Sequence, residues 1–199
     1  MTDSQGTTNL DDYSVIAFEG GDAATFLQGQ LTCDIQKLEE KSGQITACCD
    51  HKGRMIATFW ICLFNHTYYL LLPSNMVAST LAHLTKYAVF SKITLKDDSD
   101  HWKTYGLIGQ SIIHNAKKIP DAVVMTFLNS KRPLAIMMRP ASSTVDTNLV
   151  QDAWEYEAIL AGFTHIYPDT RELFTPQMIN LEKHGGVSFK KGCYVGQEV

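Results

Sequence analysis

The 199-residue chain carries 21 acidic and 17 basic side chains, a formal charge of −4, with 45% apolar and 19% charged residues. This is globular composition, enough for one large domain or one and a half ordinary ones with a sizeable core. It supplies no general electrostatic pull, so direct nucleic-acid binding is not expected without a local patch; no apolar run approaches membrane-spanning length and the polar N-terminus has no signal-peptide pattern, so a cytoplasmic protein with no membrane partner is expected.

The five cysteines are Cys33, Cys48, Cys49, Cys62 and Cys193. Their number is odd, and no two are spaced as C-x-x-C. The adjacent pair Cys48 and Cys49 suits neither a disulfide nor a tetrahedral metal centre. Reduced structural thiols in a reducing compartment, and no metal site, are expected. On a strand the pair would point to opposite faces.

Taken in order, residues 1–9 are polar and read as a frayed terminus. Residues 13–18 form a short β-rich run. Gly20 and Gly21 break it, and Asp22 can cap a helix to about Leu31 with Ala23, Phe26, Leu27 and Gln30 at helical spacing. Strands are expected over 44–49, 54–64 and 67–72. The first two are joined by a hairpin turn at 50–53, where Gly53 supplies permissive dihedral angles. Ser74 or Asn75 can cap a helix to about Tyr87 with Val77, Leu81, Leu84 and Ala88 as its apolar stripe. Residues 93–95 close this first unit. The acidic run 97–100 reads as a surface turn rather than a metal loop. A second unit has strands at 102–108, 123–127 and 134–138 and a short helix at 109–116. A longer helix at 150–161 is closed by Gly162, and a helical turn at 177–183 follows Pro176. The rhythm predicts an α+β fold in two parts, residues 1–98 and 99–199, each mixing sheet and helix.

Little in this scheme carries chemistry. His51, His66, His83, His101, His114, His165 and His184 form no H-x-H or H-E-x-x-H pattern and read as surface or turn residues. There is no nucleophile elbow, P-loop or dinucleotide fingerprint. Chemistry-bearing residues concentrate at the end: Phe189, Lys190, Lys191, Gly192, Cys193, Tyr194, Val195, Gly196, Gln197, Glu198. Neighbouring lysine charge and a helix N-terminus would both favour a thiolate at Cys193. A tight glycine-rich turn with a packed cysteine and two solvated lysines explains the same residues. Arg54, after Gly53, could hold an anion or be a solvated turn residue.

The stretch Phe189-x-Lys191-Gly192-Cys193-Tyr194-x-Gly196-Gln197-Glu198 resembles the signature of the YgfZ family. These are folate-binding proteins linked to iron–sulfur cluster maintenance and tRNA modification, and relatives of the glycine-cleavage T-protein, an aminomethyltransferase. Phe26-Leu27-Gln28-Gly29-Gln30-Leu31-Thr32-x-Asp34 is similar to the family's first helix and its exit, and Lys52-Gly53-Arg54 to its hairpin turn. Phe174-x-Pro176-Gln177-x-x-Asn180-Leu181 and Gly185-Gly186-Val187-Ser188-Phe189 are similar to the approach to the signature. The resemblance therefore runs over essentially the whole chain. It implies the aminomethyltransferase type of folate-binding fold, in which two α+β parts and a C-terminal β-barrel surround a folate-sized opening. The barrel is absent from a chain of this length, so a truncated chain is expected. Tetrahydrofolate or a derivative is the implied cofactor, and iron–sulfur proteins or their assembly factors are the implied partners. Cys193 would be the chemical residue, with Lys191 holding its thiolate and Tyr194 packing against it or donating a hydrogen bond. Gln28, Asp34, Arg54, Gln197 and Glu198 would border the folate, and Arg54 or Lys191 would take its anionic tail.

Two positions depart from the aminomethyltransferase pattern. The Asp that orients folate beyond the hairpin glycine matches Thr58 here. The folate-contacting Glu before an Ala-Gly pair matches Leu160. A carboxylate makes charge-assisted contacts to a pterin ring and Leu makes none, although Glu155 and Glu157 lie on the same helix. These departures argue against glycine-cleavage catalysis. They favour a tetrahydrofolate-binding factor that is not a conventional enzyme. A folate-dependent aminomethyl or methylene transferase and an inactive structural fragment are the alternatives.

Overall fold

A computed structural model describes residues 5–128 and 130–197. In chain order the elements are β1 (Gly6–Asn9), β2 (Tyr13–Glu19), α1 (Ala23–Gln30), β3 (Gly43–Cys49), β4 (Met55–Phe64), β5 (Thr67–Pro73) and α2 (Val77–Tyr87). They continue with β6 (Thr94–Asp97), β7 (Trp102–Ile108), α3 (Gln110–Ala116), β8 (Val123–Thr126), β9 (Leu134–Pro140) and α4 (Gln151–Leu160). The strands form two open sheets, ordered β3-β4-β5-β2-β6 and β1-β7-β9-β8, and every ladder between these strands is antiparallel. This is the expected α+β class of mixed sheet and helix, with no closed barrel among the described residues.

The sequence of β4, Met-Ile-Ala-Thr-Phe-Trp-Ile-Cys-Leu-Phe, is apolar almost without alternation because both of its faces are covered. On one face of the first sheet the helices pack; Phe26 of α1 stacks on Phe18 of β2 at 6.3 Å. On the other face Trp60 meets Phe127 and Phe163, with ring centroids 4.9 and 5.9 Å away. Trp154 of α4 lies against Gly106 of β7 so closely that a Cβ there would sit 2.4 Å from the indole. One core therefore runs through both sheets, and a smaller one under α3 holds Tyr105, Leu107, Ile113 and Met137.

Several expectations are corrected. Residues 6–9 are not frayed: they form β1, which pairs with β7 about a hundred residues later. Asp22 does not cap α1 with its side chain; its Oδ2 instead accepts the Lys92 N–H at 2.7 Å. The acidic break is partly interior, since Asp98 is buried and accepts hydrogen bonds from the indole N–H of Trp102 (2.9 Å) and from His101 Nδ1 (3.0 Å). The turn of helix behind Pro176 is a short 3-10 segment at Leu181–His184. After α4 the chain returns to the first sheet. Met55 N–H donates to Phe174 O and Glu172 N–H to Met55 O, and Ser188 N–H donates to Thr32 O. The element order alone did not show that return.

Candidate functional site

Residues 190–197 close over the exit of α1. The Lys191 ammonium donates to the carbonyls of Gln28 (2.5 Å), Leu31 (2.6 Å) and Cys33 (2.9 Å). Those carbonyls belong to the C-terminal end of α1 and the residues after it, where a cation is favoured by the helix dipole and by unsatisfied oxygens. Burial pulls the Lys191 pKa down, and Cys33 and Asp34 oppose that shift. An ammonium has three N–H groups, and all three have carbonyl partners, so Lys191 clasps the tail to the exit of α1. Val195 N–H donates to Gly29 O. Gly196 lies with φ at +82°, and a Cβ there would be 2.2 Å from Asp50 O and 2.8 Å from Gly53 Cα. Only glycine allows the tail to seat on the 50–53 turn this closely.

The other motif residues serve the same closure. Gln28 donates from Nε2 to Asp34 Oδ1 at 3.0 Å and accepts the Ile35 N–H at 2.7 Å. Lys37 at 3.1 Å, with help from Gln28, holds the Asp34 carboxyl below its usual range. Arg54 donates to Leu173 O at 2.8 Å and reaches Met178 Sδ at 3.7 Å, tying residues 173–178 to the hairpin. Gln197 Oε1 accepts the Tyr194 N–H at 3.1 Å. Tyr194 is buried in the core, and the Lys191 ammonium sits 5.5 Å from its ring centroid. Glu198 lies outside the described residues. The three stretches 28–34, 50–54 and 190–197 thus come together, but they pack on one another. A hollow of about 320 Å³ lies beside them, lined by Asp34, Lys37, Val187, Phe189 and Lys190 among others.

Cys193 is exposed, whereas the other four cysteines are buried. Burial pushes the Cys48 thiol up to about 12 and raises those of Cys33, Cys49 and Cys62 as well. Those four therefore stay protonated at neutral pH.

A larger cavity, about 470 Å³, lies at the end of β2 beneath α4. Its wall includes Tyr13, Trp154, Phe163, His165 and Tyr167, and Asp12 and Glu155 contribute carboxylates. Sequence reasoning missed it. Tyr13 read as a strand residue and Trp154 as a helix residue, and His165 read as a surface or turn histidine. His165 is in fact buried, with rings of Tyr13, Phe163 and Tyr167 at 5.3, 4.7 and 6.3 Å. Burial above all raises the Tyr13 pKa, so its hydroxyl keeps its proton; it lies 2.7 Å from His165 Nε2 and is the donor there, because the other ring nitrogen faces the Thr58 carbonyl, which can only accept. Nδ1 then carries the ring proton and faces Thr58 O at 3.3 Å and Thr58 Oγ1 at 3.4 Å. Burial holds the His165 pKa down at about 4, and the Thr58 carbonyl opposes the shift. Thr58 Oγ1 also accepts the Ile166 N–H at 2.9 Å, so the position that matched a folate-orienting Asp is engaged in buttressing the cavity wall.

The carboxylates are set apart by their neighbours. Glu157 is paired with Arg132 at 2.6 Å. Gln151 Nε2 donates to Asp12 Oδ2 (3.0 Å) and Glu155 Oε1 (2.6 Å), holding both at the cavity. Leu160 is exposed. Flat aromatic walls with one or two carboxylates suit a planar heterocycle bearing N–H donors. Among the described residues no three His, Cys, Asp or Glu side chains are grouped to hold a metal, and no helix is long and apolar enough to cross a membrane.

No protein-family model matches the chain. It is 35% identical over 192 residues to an uncharacterized protein of Haemophilus influenzae, covering 96% of this chain and 65% of that one. It is 32% identical over 209 residues to the tRNA-modifying protein YgfZ of Photobacterium profundum, covering 96% and 63%. With the tRNA-modifying protein YgfZ of Colwellia psychrerythraea the identity is 29% over 209 residues, covering 95% and 64%. The chain thus spans just under two thirds of the length of these relatives. Among solved structures, the glycine cleavage system aminomethyltransferase T of Bartonella henselae superposes with a TM-score of 0.57 at 13% identity, covering 69% of this chain and 42% of that one, which is a likeness of fold.

Proposed function

We propose that, over the span it shares with them, the chain is a member of the YgfZ family and that it binds tetrahydrofolate in the cavity walled by Tyr13, Trp154, Phe163, His165 and Tyr167. The observation that carries this reading is the cavity itself: its volume of about 470 Å³ is that of a small-molecule site. The pterin ring lies against the aromatic wall. Its amino and ring N–H groups are donors for Asp12 and Glu155, in place of the carboxylates missing at 58 and 160. Titration of the chain with tetrahydrofolate, followed by calorimetry, tests this directly. Saturable binding with one equivalent per chain is expected, and no saturable heat at millimolar ligand would refute it.

In this reading the whole protein is a cytoplasmic folate-binding factor that supports iron–sulfur enzymes and, through them, tRNA modification. The relatives described as tRNA-modifying proteins support the second half of that statement. Cys193 is its chemical residue because it is the exposed thiol on an otherwise closed tail. A Cys193→Ser substitution in the full-length protein keeps the volume and removes the nucleophile. Loss of complementation of an iron–sulfur enzyme defect, with the folate affinity unchanged, is the expected result. Full complementation would leave the tail as a structural clasp only. Aminomethyl transfer is the weaker reading, since Thr58 is committed to Ile166 and His165 and Leu160 brings no carboxylate.

A further inference from the structure

The aromatic cavity has a polar neighbour. A second hollow of about 320 Å³ shares Tyr13 and Ser74 with it as lining residues. Ser74 is fixed in place, since its hydroxyl accepts from Ser14 Oγ at 2.8 Å and donates to Asp12 O at 2.9 Å. The second hollow is lined by Asn9, Ser14 and Ser99 and by three charged side chains, Lys103, Asp11 and Asp100. Lys103 is exposed on β7, and among the described residues no carboxylate is paired with it.

We infer that the two hollows form one bipartite site, in which the polar hollow holds the glutamate tail of the same folate and its charges give no gain in affinity for a tail longer than one glutamate. The inference rests on the folate reading above. An aromatic hollow joined to a hydroxyl-lined one fits a ligand with a flat head and a polar tail, and folate has that shape. A single glutamate brings an α- and a γ-carboxylate, and Lys103 is the cation available to one of them. Each further γ-linked glutamate adds a carboxylate in a hollow that already holds Asp11 and Asp100. Like charges there offset whatever Lys103 contributes, so chain length brings no gain in affinity. Exposed charge pairs act weakly, so each effect is about two- to fivefold in the dissociation constant.

The test compares tetrahydropteroate, which has no glutamate, with tetrahydrofolate mono- and triglutamate, each titrated against the same chain by tryptophan emission. The parent chain binds the monoglutamate about two- to fivefold more tightly than the pteroate, and the triglutamate no more tightly than the monoglutamate. Lys103→Gln abolishes the advantage of the monoglutamate and leaves the pteroate unchanged. Replacing Asp11 and Asp100 together by Asn makes the triglutamate the tightest of the three. Equal binding of pteroate and monoglutamate by the parent chain overturns the proposal, as does a Lys103→Gln effect common to all three ligands or a parent-chain preference for the triglutamate. If none of the three binds, the folate reading itself falls and the tail site with it.

Discussion

The closing tail and the aromatic cavity are opposite kinds of site. The tail carries the recognisable residues, and its Lys191 ammonium and Val195 N–H are matched to the exit of α1. Lys191 meets three carbonyls, Gln28 meets Asp34 and Ile35, and Arg54 meets Leu173. The cavity carries no motif. Its wall comes from β2, α4 and the segment 163–167, with Asp12 and Glu155 among the lining residues. A dense sequence pattern can mark the place where a chain is locked, while the space for a ligand is assembled from unremarkable residues far apart in sequence.

Substitutions can break this comparison, beginning with the largest effect. Trp154 belongs to both the cavity wall and the core; it is 1% exposed and its indole N–H donates to Ala135 O at 2.9 Å. Trp154→Ala should lose about 3–5 kcal/mol of stability, as large aromatic truncations in cores do, measured by denaturant unfolding. A loss below about 1 kcal/mol would mean that the wall is not part of the core and that the cavity is a surface dent.

The next effect depends on pH. His165 has a folded pKa of about 4, below an unfolded value of about 6.5. The unfolded chain therefore takes up a proton that the folded chain does not. The stability contributed by keeping the ring neutral is complete above the unfolded pKa and is lost as pH falls from about 6.5 to about 4. Relative to a His165→Gln chain, the parent should lose about 3 kcal/mol between pH 7 and pH 4, from the pKa difference alone. Parallel stability curves for the two chains would show that His165 is protonated or solvated in the fold.

Smaller still is the clasp. Lys191→Met removes three charge-assisted hydrogen bonds and should cost about 1–3 kcal/mol, since buried carbonyls lose their donor. Amide exchange at residues 193–197 should rise while the folate affinity stays within twofold, roughly the reach of a weak indirect effect. Lys191→Arg should not restore the protection, because a planar guanidinium cannot direct its N–H groups as an ammonium does. A tail that stays equally protected in Lys191→Met would show that Gly196 on the 50–53 turn is enough to hold it.

Much of the fold was legible because its signals are local. The apolar periodicity of residues 77–87 and the hairpin at 50–53 each lie within a dozen residues, and α2 and the β3–β4 turn appear where that pattern puts them. β1 was not legible: Gly6–Asn9 has four residues, and its pairing with β7 is visible only once the sheet exists. The cavity failed for the same reason. The Tyr13 hydroxyl and the His165 ring meet across 152 positions, and neither residue has a neighbour in sequence that announces the bond. The signature was legible as a pattern, but the turn of Lys191 toward the three carbonyls at the exit of α1 was not, because those partners lie about 160 positions earlier in the chain.

The central claim is that folate occupies the aromatic cavity and not the surface beside the signature. The most direct measurement is the tetrahydrofolate dissociation constant of two single substitutions side by side, Tyr13→Ala in the cavity and Arg54→Ala at the hairpin. Tyr13→Ala should weaken binding by tenfold or more, on the order of 1.4 kcal/mol, while Arg54→Ala leaves it unchanged. Loss of binding in Arg54→Ala with Tyr13→Ala unaffected would contradict the account and return the ligand to the signature face.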